Sequence, residues 1–160
     1  MQGADFLYEI ENEKFIIIQY KRVSDSVVRA DKDQLETLIS NCPEVCMHKK
    51  NRPIPRAWLP LKLNAFCGCW YSVIDGENRR FVHACEAETI FQNAGTVPIS
   101  EFSSGLSRDT FFELFSSCRI GAFLRRPTEQ VIRTQYVKQE LDAAHIVYEV
   151  TQSDLWTRRQ

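Results

Sequence analysis

The chain has 160 residues, 44% of them apolar and 26% charged, with a formal net charge of −1. Such a chain can bury about two-thirds of its unfolded surface in one domain without covalent staples, and its composition excludes disordered and collagen-like classes. A net charge this close to zero provides no global field toward nucleic acid, so any such contact must come from local clusters.

The Met1-Gln2-Gly3-Ala4-Asp5 start has neither the basic region nor the apolar stretch of a secretory signal. The longest apolar runs, such as Phe15-Ile16-Ile17-Ile18, are far too short for a bilayer. A soluble, cytoplasmic chain with no membrane contact is expected, its six cysteines kept as thiols or metal ligands.

Phe6 to Ile10 and Phe15 to Tyr20 read as two strands joined by the polar stretch Glu11-Asn12-Glu13-Lys14, a β-hairpin. The second strand is apolar on both faces, which suits a central strand covered on both sides. Asp31 is placed to cap a helix through Gln34, Leu35, Leu38 and Ile39 that Pro43 limits. Four prolines between Pro43 and Pro60 mark an ordered loop, part of a Cys/Pro-rich insertion at about 42–69. Trp70 to Ile74 and Arg79 to His83 form a second hairpin across Asp75-Gly76-Glu77-Asn78. Glu86 to Asn93 reads as a short helix ending near Gly95. Ser107 opens another helix with Phe111, Leu114, Phe115 and Cys118 on one face, and Gly121 lies just past its end. Thr128 starts a last helix through Leu141, and Ile146 to Val150 is a closing strand. The pattern predicts one α/β (mixed α+β) domain over 1–160, with a mixed central sheet flanked by helices.

The chemistry-bearing feature is Gly3-Ala4-Asp5, followed after thirteen residues by Gln19-Tyr20-Lys21. A turn centred on Asn12 or Glu13 places Asp5 opposite Gln19 or Lys21. Gln19 and Lys21 share a face because side chains on a strand alternate. An even pairing sum brings Asp5 to that face and turns Tyr20 away. Three polar groups then converge at the end of an apolar hairpin. A carboxylate there suits a hard cation such as Mg²⁺, and the lysine suits a phosphate or an attacking water.

These residues resemble the PD-(D/E)xK, or restriction-endonuclease-like, nuclease superfamily, in which an Asp begins one strand and an acidic-x-Lys motif ends the next. The resemblance covers about residues 3 to 40 and is nearest to the Gln-x-Lys variants among Mrr-like restriction and defence nucleases. It implies a restriction-endonuclease-like core and an Mg²⁺- or Mn²⁺-dependent endonuclease acting on DNA, in restriction or phage defence. By position, Asp5 is the metal carboxylate, Gln19 the second ligand and Lys21 the catalytic lysine. Gln19 replaces a full charge, which near a cation is worth on the order of 4 kcal/mol at about 4 Å and an effective dielectric of about 20. Only four residues precede Asp5, so the resemblance also implies a core shortened at its amino terminus, completed by a protein partner, a second copy, another part of the chain or upstream sequence. A non-catalytic nucleic-acid-binding or protein-interaction module derived from that fold is the alternative.

Of the basic clusters, Lys49, Lys50, Arg52 and Arg56 are the candidate contact to a DNA backbone. Arg79-Arg80, Arg125-Arg126 and Arg158-Arg159 read as solvated faces. Cys42-x3-Cys46 and Cys67-x-Cys69 flank the proline-rich loop and suit a tetrahedral zinc, with His48 as a substitute ligand; four buried thiols are the plain alternative. His83 and Cys85 lack an orienting third group and read as core, as does Cys118. Trp58, Trp70, Tyr71 and Trp156 are assigned no function. The sequence contains no P-loop, dinucleotide fingerprint or Gly-x-Ser-x-Gly elbow.

Overall fold

Aromatic and β-branched residues dominate Phe6–Ile10 (β1) and Lys14–Arg22 (β2), and the two strands pair antiparallel from Phe6↔Ile18 to Ile10↔Lys14. The computed structural model describes residues 6–10, 14–44, 46–60, 62–64, 67–92, 94–123 and 146–150. Asp5, the helix expected from Thr128, Arg125-Arg126, Trp156 and Arg158-Arg159 lie outside them. β2 is buried from Lys14 through Gln19, as a strand apolar on both faces should be.

Beyond the hairpin come a short strand Val27–Arg29 (β3) and the helix Lys32–Ser40 (α1). Asp31 caps α1 through its side chain, which accepts a hydrogen bond from the Gln34 backbone N–H at 3.1 Å. The proline-rich segment is more structured than the loop expected from sequence. It holds a single helical turn Met47–Lys50 (α2) and a 3₁₀ turn Arg56–Trp58.

Cys69–Asp75 (β4) and Asn78–His83 (β5) form the second hairpin around Gly76-Glu77. Gly76 sits at φ +57°, at the first turn position where glycine carries no Cβ penalty. Ala84–Phe91 (α3) starts two residues before the expected Glu86. Thr96–Pro98 (β6), Leu106–Ser107 (β7), Arg108–Ser116 (α4), Ala122–Phe123 (β8) and the expected closing strand Ile146–Val150 (β9) follow. Ser107 caps α4, accepting from the Thr110 N–H. Its other end closes as a Schellman motif, with Cys118 N bonding Phe115 O at 2.9 Å and Arg119 N bonding Leu114 O at 2.8 Å. The left-handed residue there is Cys118, at φ +57°, rather than the glycine three positions on.

The main sheet is mixed, ordered β7-β5-β4-β2-β1-β9. β2 runs parallel to β4 and β1 parallel to β9, while the remaining neighbours are antiparallel. β8 pairs with Lys14 and Phe15 of β2, and β3 and β6 make a separate two-stranded ribbon. One face of the sheet packs Phe15, Ile17, Cys69, Tyr71 and Val73 against α1 and α3. The other packs Ile16, Ile18, Trp70 and Phe81 against Phe111 and Phe115 of α4. This is an α+β fold with helices on both sides of a mixed sheet. Gly68 lies against β8, where a Cβ would come 2.8 Å from the Ala122 Cβ and 3.3 Å from the Phe15 ring.

Phe81 stacks on Phe111 with ring centroids 4.1 Å apart and planes 7° from parallel, fully buried. Phe81→Ala should lower the unfolding free energy by about 3–5 kcal/mol, read from urea denaturation midpoints at constant slope.

Candidate functional site

Alternation along β2 sends Gln19 and Lys21 to the α1 side of the sheet and Tyr20 to the α4 side, where it packs with Ile16 and Ile18. The hairpin pairs Phe6 with Ile18, an even index sum, and the described pairing begins there, one residue after Asp5. Gln19 is only 1% exposed. Its Nε2 donates to Gln34 Oε1 at 2.5 Å, and Lys21 Nζ donates to the same oxygen at 2.8 Å. Asp31 Oδ2 stands 3.9 Å from Lys21 Nζ. Asp31 therefore serves two purposes, holding the start of α1 and adding a carboxylate beside the lysine.

This arrangement leaves Gln19 Oε1 buried without a hydrogen-bond partner among the described residues. An unsatisfied buried carbonyl oxygen costs about 1–3 kcal/mol, which a hard cation or a bound water would recover. Gln34 was not among the candidates from sequence. Its signal was its place on the otherwise apolar face of α1, four residues before Leu38, where a polar side chain needs a polar partner on the sheet.

The basic loop is largely consumed inside the fold. Lys49 Nζ donates to Cys42 O at 2.8 Å, Ser40 O at 3.2 Å and Glu44 Oε1 at 2.6 Å. Arg52 Nε donates to Glu88 Oε2 at 2.8 Å and its Nη2 to Glu36 Oε2 at 2.5 Å. Glu88 above all holds this guanidinium well above its ordinary range. Arg56 pairs with Glu101, while Lys50 is exposed. Arg52 thus clamps the insertion to α1 and α3, and Lys50 is the cation of the four that faces solvent without an ion pair among the described residues.

None of the six cysteines, all among the described residues, forms a disulfide, and five are buried. The Sγ atoms of Cys42, Cys46 and Cys67 lie within 4.8 Å of one another, with Cys42 and Cys67 3.9 Å apart. Cys69 is buried and its carbonyl accepts from the Cys67 thiol at 3.3 Å, but its sulfur is not in the triad. Hydrogen bonds from Cys46, Cys67 and Cys69, with the Gly68 N–H, hold the Cys42 thiol far below its usual range. Conversely, the hydrogen bond to Cys42 pushes Cys46 and Cys67 up, and burial raises Cys69. Burial also raises Cys85, which fits its expected place as an inert core residue.

Two histidines adjoin the cluster, with ring centroids 4.6 Å apart. His83 lies over Trp70 at 4.1 Å, and its Nε2 accepts the Asn64 backbone N–H at 3.3 Å. Nδ1 of both His48 and His83 is buried without a partner among the described residues. Neither imidazole joins the three sulfurs as a group of mutually close ligand atoms.

Among the described residues three large apolar side chains stand exposed, and all lie in the insertion: Met47 and Trp58, each 59% exposed, and Leu63. No helix among the described residues is long and apolar enough to cross a membrane. Comparison of the chain with protein-family models, curated proteins and solved structures gives no match.

Burial, with the neighbouring His48, pushes His83 down to about 3. Because the unfolded chain takes up this proton near pH 6.5, the stabilisation is complete above pH 6.5 and is lost as pH falls toward 3. Stability should therefore drop by about 2 kcal/mol between pH 7 and pH 5 from this group. Urea titrations at the two pH values should show that loss in the parent chain and a flatter dependence in His83→Gln.

Proposed function

We propose that the chain is a metal-dependent nuclease-like domain that hydrolyses phosphodiester bonds in DNA, with Asp5, Gln19 and Lys21 as its site. The observation that carries this reading is the buried Gln19 Oε1, without a partner among the described residues, beside the Lys21 ammonium and directly after the apolar run Phe15 to Ile18. Packing alone would favour a hydrophobic residue at position 19. The topology is compatible: a hairpin, then α1, then β4 parallel to β2, the order in which a strand–helix–strand crossover builds a central sheet.

A hard oxygen donor at Gln19 fits Mg²⁺ or Mn²⁺, with the Asp5 carboxylate as the second protein ligand. When bound, such an ion supplies Lewis acidity and an activated water to phosphoryl chemistry. Lys21 contributes a positive charge toward the phosphate whose charge grows in the transition state. Gln34 is a positioning residue. By accepting from both Gln19 Nε2 and Lys21 Nζ it fixes the amide orientation and leaves the Gln19 carbonyl oxygen as the open donor.

Asp5→Ala and Lys21→Ala should each abolish Mg²⁺-dependent cleavage of plasmid DNA while leaving the circular-dichroism spectrum and melting temperature close to those of the parent. Gln34→Ala should weaken Mg²⁺ binding about 10–100-fold by calorimetry. Undiminished cleavage in Lys21→Ala would overturn the assignment.

A second reading, a protein-interaction module on the same fold, is favoured by the clustering of Met47, Trp58 and Leu63 on the insertion. Absence of Mg²⁺ binding, together with concentration-dependent self-association that Trp58→Ala removes, would favour it.

A further inference from the structure

The four cysteines of the insertion lie at its two ends. Cys42 follows α1 by two residues, Cys46 precedes α2, and Cys67 and Cys69 lead into β4. All four are 2% exposed or less. A tetrahedral zinc thiolate centre with Zn–S bonds of about 2.3 Å requires sulfurs about 3.8 Å apart. The Cys42–Cys67 separation of 3.9 Å meets that requirement and is nearly twice the roughly 2.05 Å of a disulfide. Cys46 Sγ falls within the same 4.8 Å group.

The surroundings suit thiolates. Asn64 Nδ2 donates to Cys46 Sγ at 3.4 Å. Donors aimed at sulfur are the outer layer that orients metal ligands and spreads their negative charge. Small hydrophobes filling a core would not need them. The Lys49 ammonium sits on the Cys42 carbonyl, 2.8 Å away, where it offsets negative charge on the cluster while also pairing with Glu44.

We infer that Cys42, Cys46, Cys67 and Cys69 form a closed structural zinc site that pins the insertion between α1 and β4. Cys69 is the fourth ligand because it lies two residues from Cys67 and is buried in the same core cluster as the three grouped sulfurs. The thiol protons leave to solvent as the metal binds, so no oxidant or reductant takes part. The inference does not rest on the nuclease reading, since the site is separate from Gln19 and Lys21.

The test uses the full chain, purified without chelator and analysed for metal by plasma mass spectrometry, then reloaded with Co²⁺. One zinc per chain is expected, and the cobalt form should show an intense thiolate charge-transfer band in the near ultraviolet with tetrahedral visible bands. Cys69→Ser should lower the charge-transfer intensity, whereas His48→Gln should leave stoichiometry and spectrum unchanged. Because cysteine variants can misfold, the parent chain gives an independent reading: a strong chelator should release zinc and lower the melting temperature, and added Zn²⁺ should restore it. Substoichiometric zinc with no cobalt charge-transfer band would overturn the site. A spectrum altered by His48→Gln and not by Cys69→Ser would overturn the ligand assignment.

Discussion

Strand β2 is the constraint from which the rest follows. It is paired on both edges and covered on both faces, so positions 15–18 admit only apolar side chains, and any polar group farther along must find its partner inside the protein. Gln19 is the first such group, and the partner comes from α1 as Gln34. A single amide-to-amide bond therefore links the strand and the helix in one register. The same oxygen takes Lys21, so the lysine is fixed by the requirement that satisfies its neighbour. Position and chemistry at the strand end are consequences of one burial problem.

The insertion obeys a similar economy of placement. Its basic residues attracted a nucleic-acid reading because they cluster in sequence, yet Arg52 reaches across to Glu36 and Glu88, and Lys49 folds back onto the carbonyls that close α1. Clustered charge in a proline-rich segment thus acts here as internal fastening. Apolar side chains at Met47, Trp58 and Leu63 stand outward on the same insertion, while its Ile54 and cysteines Cys42, Cys46 and Cys67 are buried.

Periodicity made much of this legible. Both hairpins, the Asp31 and Ser107 caps and the closing strand followed from residue alternation and capping chemistry, because each is decided within a few residues of its own sequence. What depended on distant pairing was hidden. The β3–β6 ribbon joins segments almost seventy residues apart through strands of three residues, too short to alternate visibly. Nor does any local rule foretell that Glu88 captures Arg52. At the candidate site, Gln19 and Lys21 were visible as polar breaks in an apolar strand, whereas Gln34 resembled an ordinary helix residue until α1 was laid against β2. Cysteine spacing hinted at convergence, but neither pair could say which sulfurs meet, since that depends on how the loop between them folds.

Gly68 carries a further consequence. With Ala122 on one side and the Phe15 ring on the other, its backbone runs in a slot too narrow for a side chain, and its carbonyl is held by Ile17 N at 2.7 Å. The segment between the two neighbouring cysteines is therefore immobilised by the sheet itself. A ligand that gathers those sulfurs meets a chain whose local freedom has already been surrendered during folding, so little ordering entropy remains to oppose capture.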